Sequence, residues 1–375
     1  MGRLILGRWV ANLYPGSFAL VMATGIVSIA CYLAGLEPIA WALFWVNQIA
    51  YTLLWLLTLA RFLGFLPMVL ADIADPGRGP GFLTMVAGTS VLGRQLSLLA
   101  RNDVLALGLA VLATLLWALF TYGFLAGVII RPEKPQPGRC VNGAWLLAVV
   151  ATQSVPLAWV GARSVLGLQD HIVFLMLGFH LLGYVLYLMI IGLIIYQFVA
   201  FRLDPTLLTP PYWINMGAMA ITALAGAVLV SLAPESTLLQ AVLPFLKGLT
   251  ILAWAVATWW IPLLVVLFAW RHLAAKVGFA YDPQYWSMVF PLGMYSVCTF
   301  RLAQVTGVTF LQTLSQAFAY IAVAAWAAVC LGMARHILGE LQSAPVIQWQ
   351  EADDPPEGPP PDHDPPTDGP SGYFV

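Results

Sequence analysis

The chain has 375 residues, 61% of them hydrophobic and 9% charged, with a formal net charge of −1. Soluble domains run near half apolar and a quarter charged, so a soluble globular protein is excluded, and no basic excess marks a nucleic-acid partner. Backbone polar groups cannot be left bare in lipid, so the composition implies an all-α integral membrane protein with the lipid bilayer as its solvent.

A spanning helix needs about 20 mostly apolar residues. Ten such segments are expected, at roughly 15–35, 38–60, 81–100, 103–130, 143–162, 171–200, 212–233, 239–270, 285–307 and 311–335. The first follows MGRLILGRWV without a small-residue cleavage site and reads as a retained helix rather than a signal peptide. Phe18, Phe82, Trp145, Trp213 and Trp286 stand near the starts of alternate segments, spaced by 64, 63, 68 and 73 residues. That period holds two spanning helices and their loops, so the chain reads as five helical hairpins in series. Interface anchoring accounts for each aromatic singly, but not for the regular count. Cys31, Cys140, Cys298 and Cys330 show no paired spacing, so neither disulfide nor metal is expected.

The alternate segments differ in kind. In 20-residue windows the first, third, fifth and seventh hold nine or ten Gly, Ala, Ser and Thr, against three to five in the second, sixth and eighth. Small residues let backbones approach closely, whereas the even segments carry nine of the fifteen tryptophans. The expected picture is an inner ring of odd helices wrapped by even ones, although the alanine-rich tenth breaks the contrast. Pro156 in the fifth span and Pro291 in the ninth each remove a backbone hydrogen bond and favour a kink. Pro244 and Pro262 in the eighth show that proline alone does not mark an inner helix.

Eleven of the sixteen basic residues fall on one side of a ten-helix arrangement: Arg3, Arg8, Arg61, Arg78, Arg131, Lys134, Arg139, Arg202, Arg271, Lys276 and Arg335. Basic loops face the cytoplasm, so both termini are expected there, with the protein in the cytoplasmic membrane. Residues 1–344 are expected to form a ten-helix transmembrane domain. Residues 345–375, with seven acids and no base, read as a disordered acidic, proline-rich tail.

Catalytic constellations are scarce. His171, His180, His272, His336 and His363 form no ligand motif, and no phosphate loop or nucleophile elbow appears. Neither an enzyme, a cofactor nor a metal is expected, and His180 reads as a hydrogen-bonded packing residue. No acid falls mid-span, so a fixed carboxylate relay of the kind proton pumps use is missing. Arg94 and Arg301 lie in the outer half of odd helices, where arginine is expensive unless it meets water, a partner or an anion. They either attract anions in a pore vestibule, or snorkel to the interface or pair with Asp103 or a carbonyl. Thr24, Thr89, Ser90, Thr152, Ser154, Thr222, Ser296 and Thr299 recur on the odd helices. Such groups line neutral pores, and singly they also make helix contacts.

YWSMVFPLGMYSVCTF (Tyr285 to Phe300) and PGSFALVMATGIVSIA in the first span resemble the tellurite-resistance/dicarboxylate transporter family. That family includes plant slow-type anion channels, bacterial tellurite-resistance proteins and fungal malate and sulfite transporters. The resemblance covers roughly 10–340 and implies five hairpins in quasi-fivefold arrangement around a central pore, often in a homotrimer. It also implies that Phe290, four residues after Trp286, plugs the pore; from the residues alone it reads as core packing. Pro291 directly after it departs from members that lack a proline there. The expected function is transport of small inorganic or organic anions. The alternatives are a proton-coupled carrier of four-carbon dicarboxylates such as malate, or of sulfite, and a non-transporting scaffold or sensor.

Overall fold

The computed structural model describes residues 7, 9–132, 141–278 and 280–343. Contacts divide the chain into Met1–His336 and Ile337–Val375; of the second unit, the described residues belong to the end of the last helix. The tail expected from residue 345 lies outside the described residues. Helices occur in chain order as α1 (Ala19–Leu33), α2 (Glu37–Gly64), α3 (Leu66–Ile73), α4 (Leu83–Leu98), α5 (Asp103–Ile130) and α6 (Leu147–Leu166). They continue as α7 (Asp170–Ala200), α8 (Ile214–Leu232), α9 (Thr237–Ala241), α10 (Leu243–Ala269), α11 (Trp286–Thr306) and α12 (Phe310–Ser343). No strand occurs among the described residues.

Each expected segment contains a helix, and eight of the ten meet the length and hydropathy expected of a span. Among the described residues, eight helices are long and apolar enough to cross a membrane. The other two long helices are α4 and α11: α4 has 16 residues and carries Arg94, and α11 interleaves Ser, Thr, Gln and Arg301 with its apolar residues. The expected eighth segment begins as a separate short helix, α9. Pro244 stands in the first turn of α10, where its missing N–H costs nothing.

Two classes of helix are present. The stretch through α8, Pro210–Glu235, is 89% buried, whereas the α12 stretch Phe310–Glu340 is 17% buried. Helices α1, α4, α6, α8 and α11 pack in a closed cycle, each against the next and α11 against α1. Outside them, α2 packs on α1, α5 on α4 and α6, α7 on α6, and α10 on α8. Helix α12 meets the cycle through Ser296 and Ser315, which exchange bonds with each other's carbonyls at 2.8 Å.

A 3-10 turn leads straight into each buried helix: Pro15–Phe18, Gly79–Phe82, Gly143–Leu146, Pro210–Trp213 and Pro283–Tyr285. Phe18, Phe82 and Trp213 end their turns, Trp145 stands one residue before the end of its own, and Trp286 begins the helix. The turns touch one another in their own closed cycle, and glycine permits the close approach. A Cβ at Gly81 would lie 2.7 Å from the Gly16 nitrogen, and one at Gly143 would lie 2.5 Å from the Pro211 carbonyl carbon.

The same end of the bundle is stapled by charge. Arg61, nearly fully buried, donates to Asp72 Oδ2 at 2.6 Å and to the Ala11 carbonyl at 3.2 Å. Arg78 Nε meets the other Asp72 oxygen at 2.8 Å. Burial, then the Asp282 carboxylate, pushes the Tyr14 phenol up to about 12, so it stays neutral beside these charges.

Candidate functional site

Inside the cycle of buried helices runs a narrow cleft of about 50 Å³, lined from all five: Ile26 from α1, Ser90 and Arg94 from α4, Ser154 from α6, Ile221 from α8, and Met294 from α11, among others. It adjoins a vestibule of about 940 Å³ at the C-terminal ends of α4, α6, α8 and α11, lined also by the first turns of α5 and α10. Arg94 and Arg301 line both cavities and so mark their junction.

Helical spacing relates Phe290 to this cleft. Met294, Val297 and Arg301 line it from α11, and steps of four, seven and eleven residues from Phe290 all fall on one helix face. Phe290 therefore lies one turn below the cleft on the cleft-facing side. It has no exposed surface. The residues four beyond the other repeat aromatics are Met22, Val86, Val149 and Gly217, of which the first three are also 0% exposed. Four of the five inner helices thus bury an apolar side chain completely at this depth. Pro291 packs against the bare backbone of Gly217, and both Pro291 and Pro156 sit inside unbroken helices.

The vestibule is strongly basic. Arg94, Arg101, Arg163, Lys247 and Arg301 line it, with Asp103 as the single carboxylate among its described lining residues. These five are the bases left over when the eleven of the opposite side are taken from sixteen. Arg163 is partly offset by Glu235 at 3.0 Å, an exposed pair. Arg301 donates to the Gln304 amide oxygen at 2.8 Å rather than to an acid. Arg101 holds a left-handed backbone with φ 54°, a conformation that costs a residue with a Cβ about 1 kcal/mol.

The eight hydroxyls do not share one environment. Ser90 and Ser154 line the cleft, each donating to a carbonyl of its own helix. The other six are engaged between or along helices rather than lining it. Thr24, Thr152 and Thr299 accept the indole N–H of Trp326, Trp117 and Trp254, all at 2.9 Å. Thr89 bonds the Tyr51 hydroxyl, Thr222 its own helix at Ala218, and Ser296 the Ser315 carbonyl. Burying a tryptophan against a neighbour leaves its N–H in need of an acceptor, and threonine on the inner helix supplies it. His180, fully buried, shares two bonds with Gln153, one of them to the His180 carbonyl.

Sequence reasoning missed Arg101, Arg163, Lys247 and Asp103 as vestibule residues. The available signal was that the five bases off the basic side all fall near the same ends of alternate helices.

The sequence profile described as voltage-dependent anion channel matches residues 12–334. An uncharacterized membrane protein of Mycobacterium tuberculosis is 34% identical over 152 residues, covering 40% of this chain and 77% of that protein. Two uncharacterized transporters of Methanocaldococcus jannaschii are similar over most of their length. One is 22% identical across 80% of this chain and 87% of its own. The other is 24% identical across 76% and 82%.

Proposed function

The chain belongs to the voltage-dependent anion channel family, and on that premise we propose that it conducts small anions along the axis of its five buried helices. The membership bears out the resemblance carried by MATGI and WSMVFPLGMYS. The observation that carries the proposal is the concentration of all five off-pattern bases in one vestibule above a cleft reached by every buried helix. In this reading all ten long helices cross the cytoplasmic membrane as five hairpins in quasi-fivefold order. The basic loops and both termini face the cytoplasm, and three copies associate as a homotrimer.

Anions gather in the vestibule, where a concave basic wall raises their local concentration. Arg94 and Arg301 receive them at the neck, in place of the missing acid partners. Below, the apolar cleft and the layer of Phe290, Met22, Val86 and Val149 hold back water and ions, as hydrophobic constrictions do. Phe290 is the gate of this layer because its aromatic ring is the largest side chain there and it shares a face with the cleft-lining residues above it. A second reading is a carrier for four-carbon dicarboxylates or sulfite with the proton riding on the substrate. It draws on the size of the vestibule and on the position of acids at helix ends among the described residues of the spans.

The test is flux of chloride, nitrate, sulfite, malate and tellurite in proteoliposomes, for the parent and for Arg94→Gln with Arg301→Gln. Anion flux that falls at least about tenfold in the double variant, a loss near 1.4 kcal/mol, supports the proposal. No anion flux in the parent or in a Phe290→Ala variant leaves a scaffold or sensor in its place.

A further inference from the structure

The basic vestibule contains one residue of the wrong sign. Asp103 opens α5 and lines the cavity among Arg94, Arg101, Arg163, Lys247 and Arg301. Its carboxylate is held by a hydroxyl. Ser97, on the last turn of α4, donates to Oδ1 at 2.6 Å, while the Ser164 hydroxyl of α6, near enough to act on the carboxylate, donates to the Gly161 carbonyl at 3.4 Å. Arg94 and Arg101 are near enough for their charge to act on it. Among the described residues, no base forms an ion pair with it, in contrast to Glu235, which is in contact with Arg163. The acid is therefore fixed by a neutral donor from α4, and among the described residues neither it nor Arg94 or Arg101 is discharged by direct pairing.

A structural role alone accounts for part of this, since an acid in the first turn complements the helix dipole. It does not account for the serine that anchors the carboxylate on the wall of the vestibule. Charge interaction energy is proportional to the charge of the ligand. Five bases without an opposing charge would hold a dianion far more tightly than a monoanion, and a site that binds too tightly conducts poorly. Building on the transport reading above, we infer that Asp103 is a specificity-determining residue that sets how strongly the vestibule discriminates between singly and doubly charged anions. It repels a dianion twice as strongly as a monoanion at the same place, and so keeps multivalent anions from blocking the neck.

The experiment uses chloride and sulfate as probes on the full-length protein. In proteoliposomes one measures the chloride concentration that half-saturates flux and the sulfate concentration that half-blocks it. In detergent one measures thermal stabilisation by each salt, a readout that follows binding without flux. Replacing Asp103 with Asn removes one unit charge acting through a wet vestibule, which is expected to strengthen chloride by about threefold and sulfate by the square of that, about ninefold. Asp103→Glu keeps the charge and is expected to return the sulfate-to-chloride ratio to the parental value. A lost helix-dipole contact would lower the melting temperature in every salt alike and would leave that ratio unmoved. Equal shifts for the two anions, no shift, or no sulfate effect in either protein overturns the inference while leaving anion flux intact. Absent flux with the unequal shift retained in thermal stabilisation instead overturns the transport reading and upholds the inference.

Discussion

Gly217 and Pro291 meet where α8 and α11 pass beside Phe290, and Gly217→Ala tests that contact. A methyl group there would fall 2.7 Å from Pro291 Cγ and 3.0 Å from its Cβ. Carbon atoms rest about 3.5–4.0 Å apart, so close to 1 Å must be found between the two helices. A proline ring cannot swing aside, which leaves movement of the helix as the remedy. Forcing one methylene into a packed interior costs about 1–3 kcal/mol, and the better helix propensity of alanine returns about 0.5–1 kcal/mol of it. Taking the middle of each range, the expected net loss is about 1 kcal/mol. Moving α11 off α8 also loosens the layer at Phe290, so the anion leak should rise although the gate residue is unchanged. Gly248→Ala on α10, where nothing lies within 4 Å, is the matched control and should be neutral or slightly stabilising. Thermal unfolding in one detergent, with leak measured in liposomes, reads both effects. A Gly217→Ala protein as stable and as tight as the parent would refute the packing argument.

Further outcomes follow from the charged groups. Arg61→Met leaves the largely buried Asp72 with Arg78 alone and should destabilise by about 1.5–3 kcal/mol, the loss of a charged hydrogen bond, whereas Arg163→Met, from an exposed pair, should cost at most about 1 kcal/mol; equal melting shifts would contradict this. Arg101→Gly relieves the left-handed backbone and should stabilise by about 1 kcal/mol while raising the chloride concentration needed for half-maximal flux. A flux change without the gain in stability would mean that the backbone is unstrained.

Helix positions were legible because runs of apolar residues are themselves the signal: 103–130 was expected and Asp103–Ile130 is observed. The break before α10 was missed because Pro244 starts a helix as readily as it kinks one. The two ring classes were legible from glycine and alanine on one set and tryptophan on the other. Which hydroxyls face the axis was not. A buried helix is apolar all round, so Thr24 and Ser90 sit in equivalent-looking sequence. The missing criterion was the need of Trp117, Trp254 and Trp326 for acceptors, which draws Thr152, Thr299 and Thr24 outward. The vestibule was half legible: Arg94 and Arg301 stand out within spans, but Arg101, Arg163 and Lys247 join them only when the helix ends come together.

The central claim is that anions pass along the axis at Phe290. Its most direct test is chloride flux through reconstituted parent and Phe290→Ala proteins at equal density. Opening the dry layer predicts a rise of about tenfold or more, corresponding to about 1.4 kcal/mol off the barrier, with cation flux unchanged. Flux that is unaltered or lower in a folded Phe290→Ala protein would contradict the account.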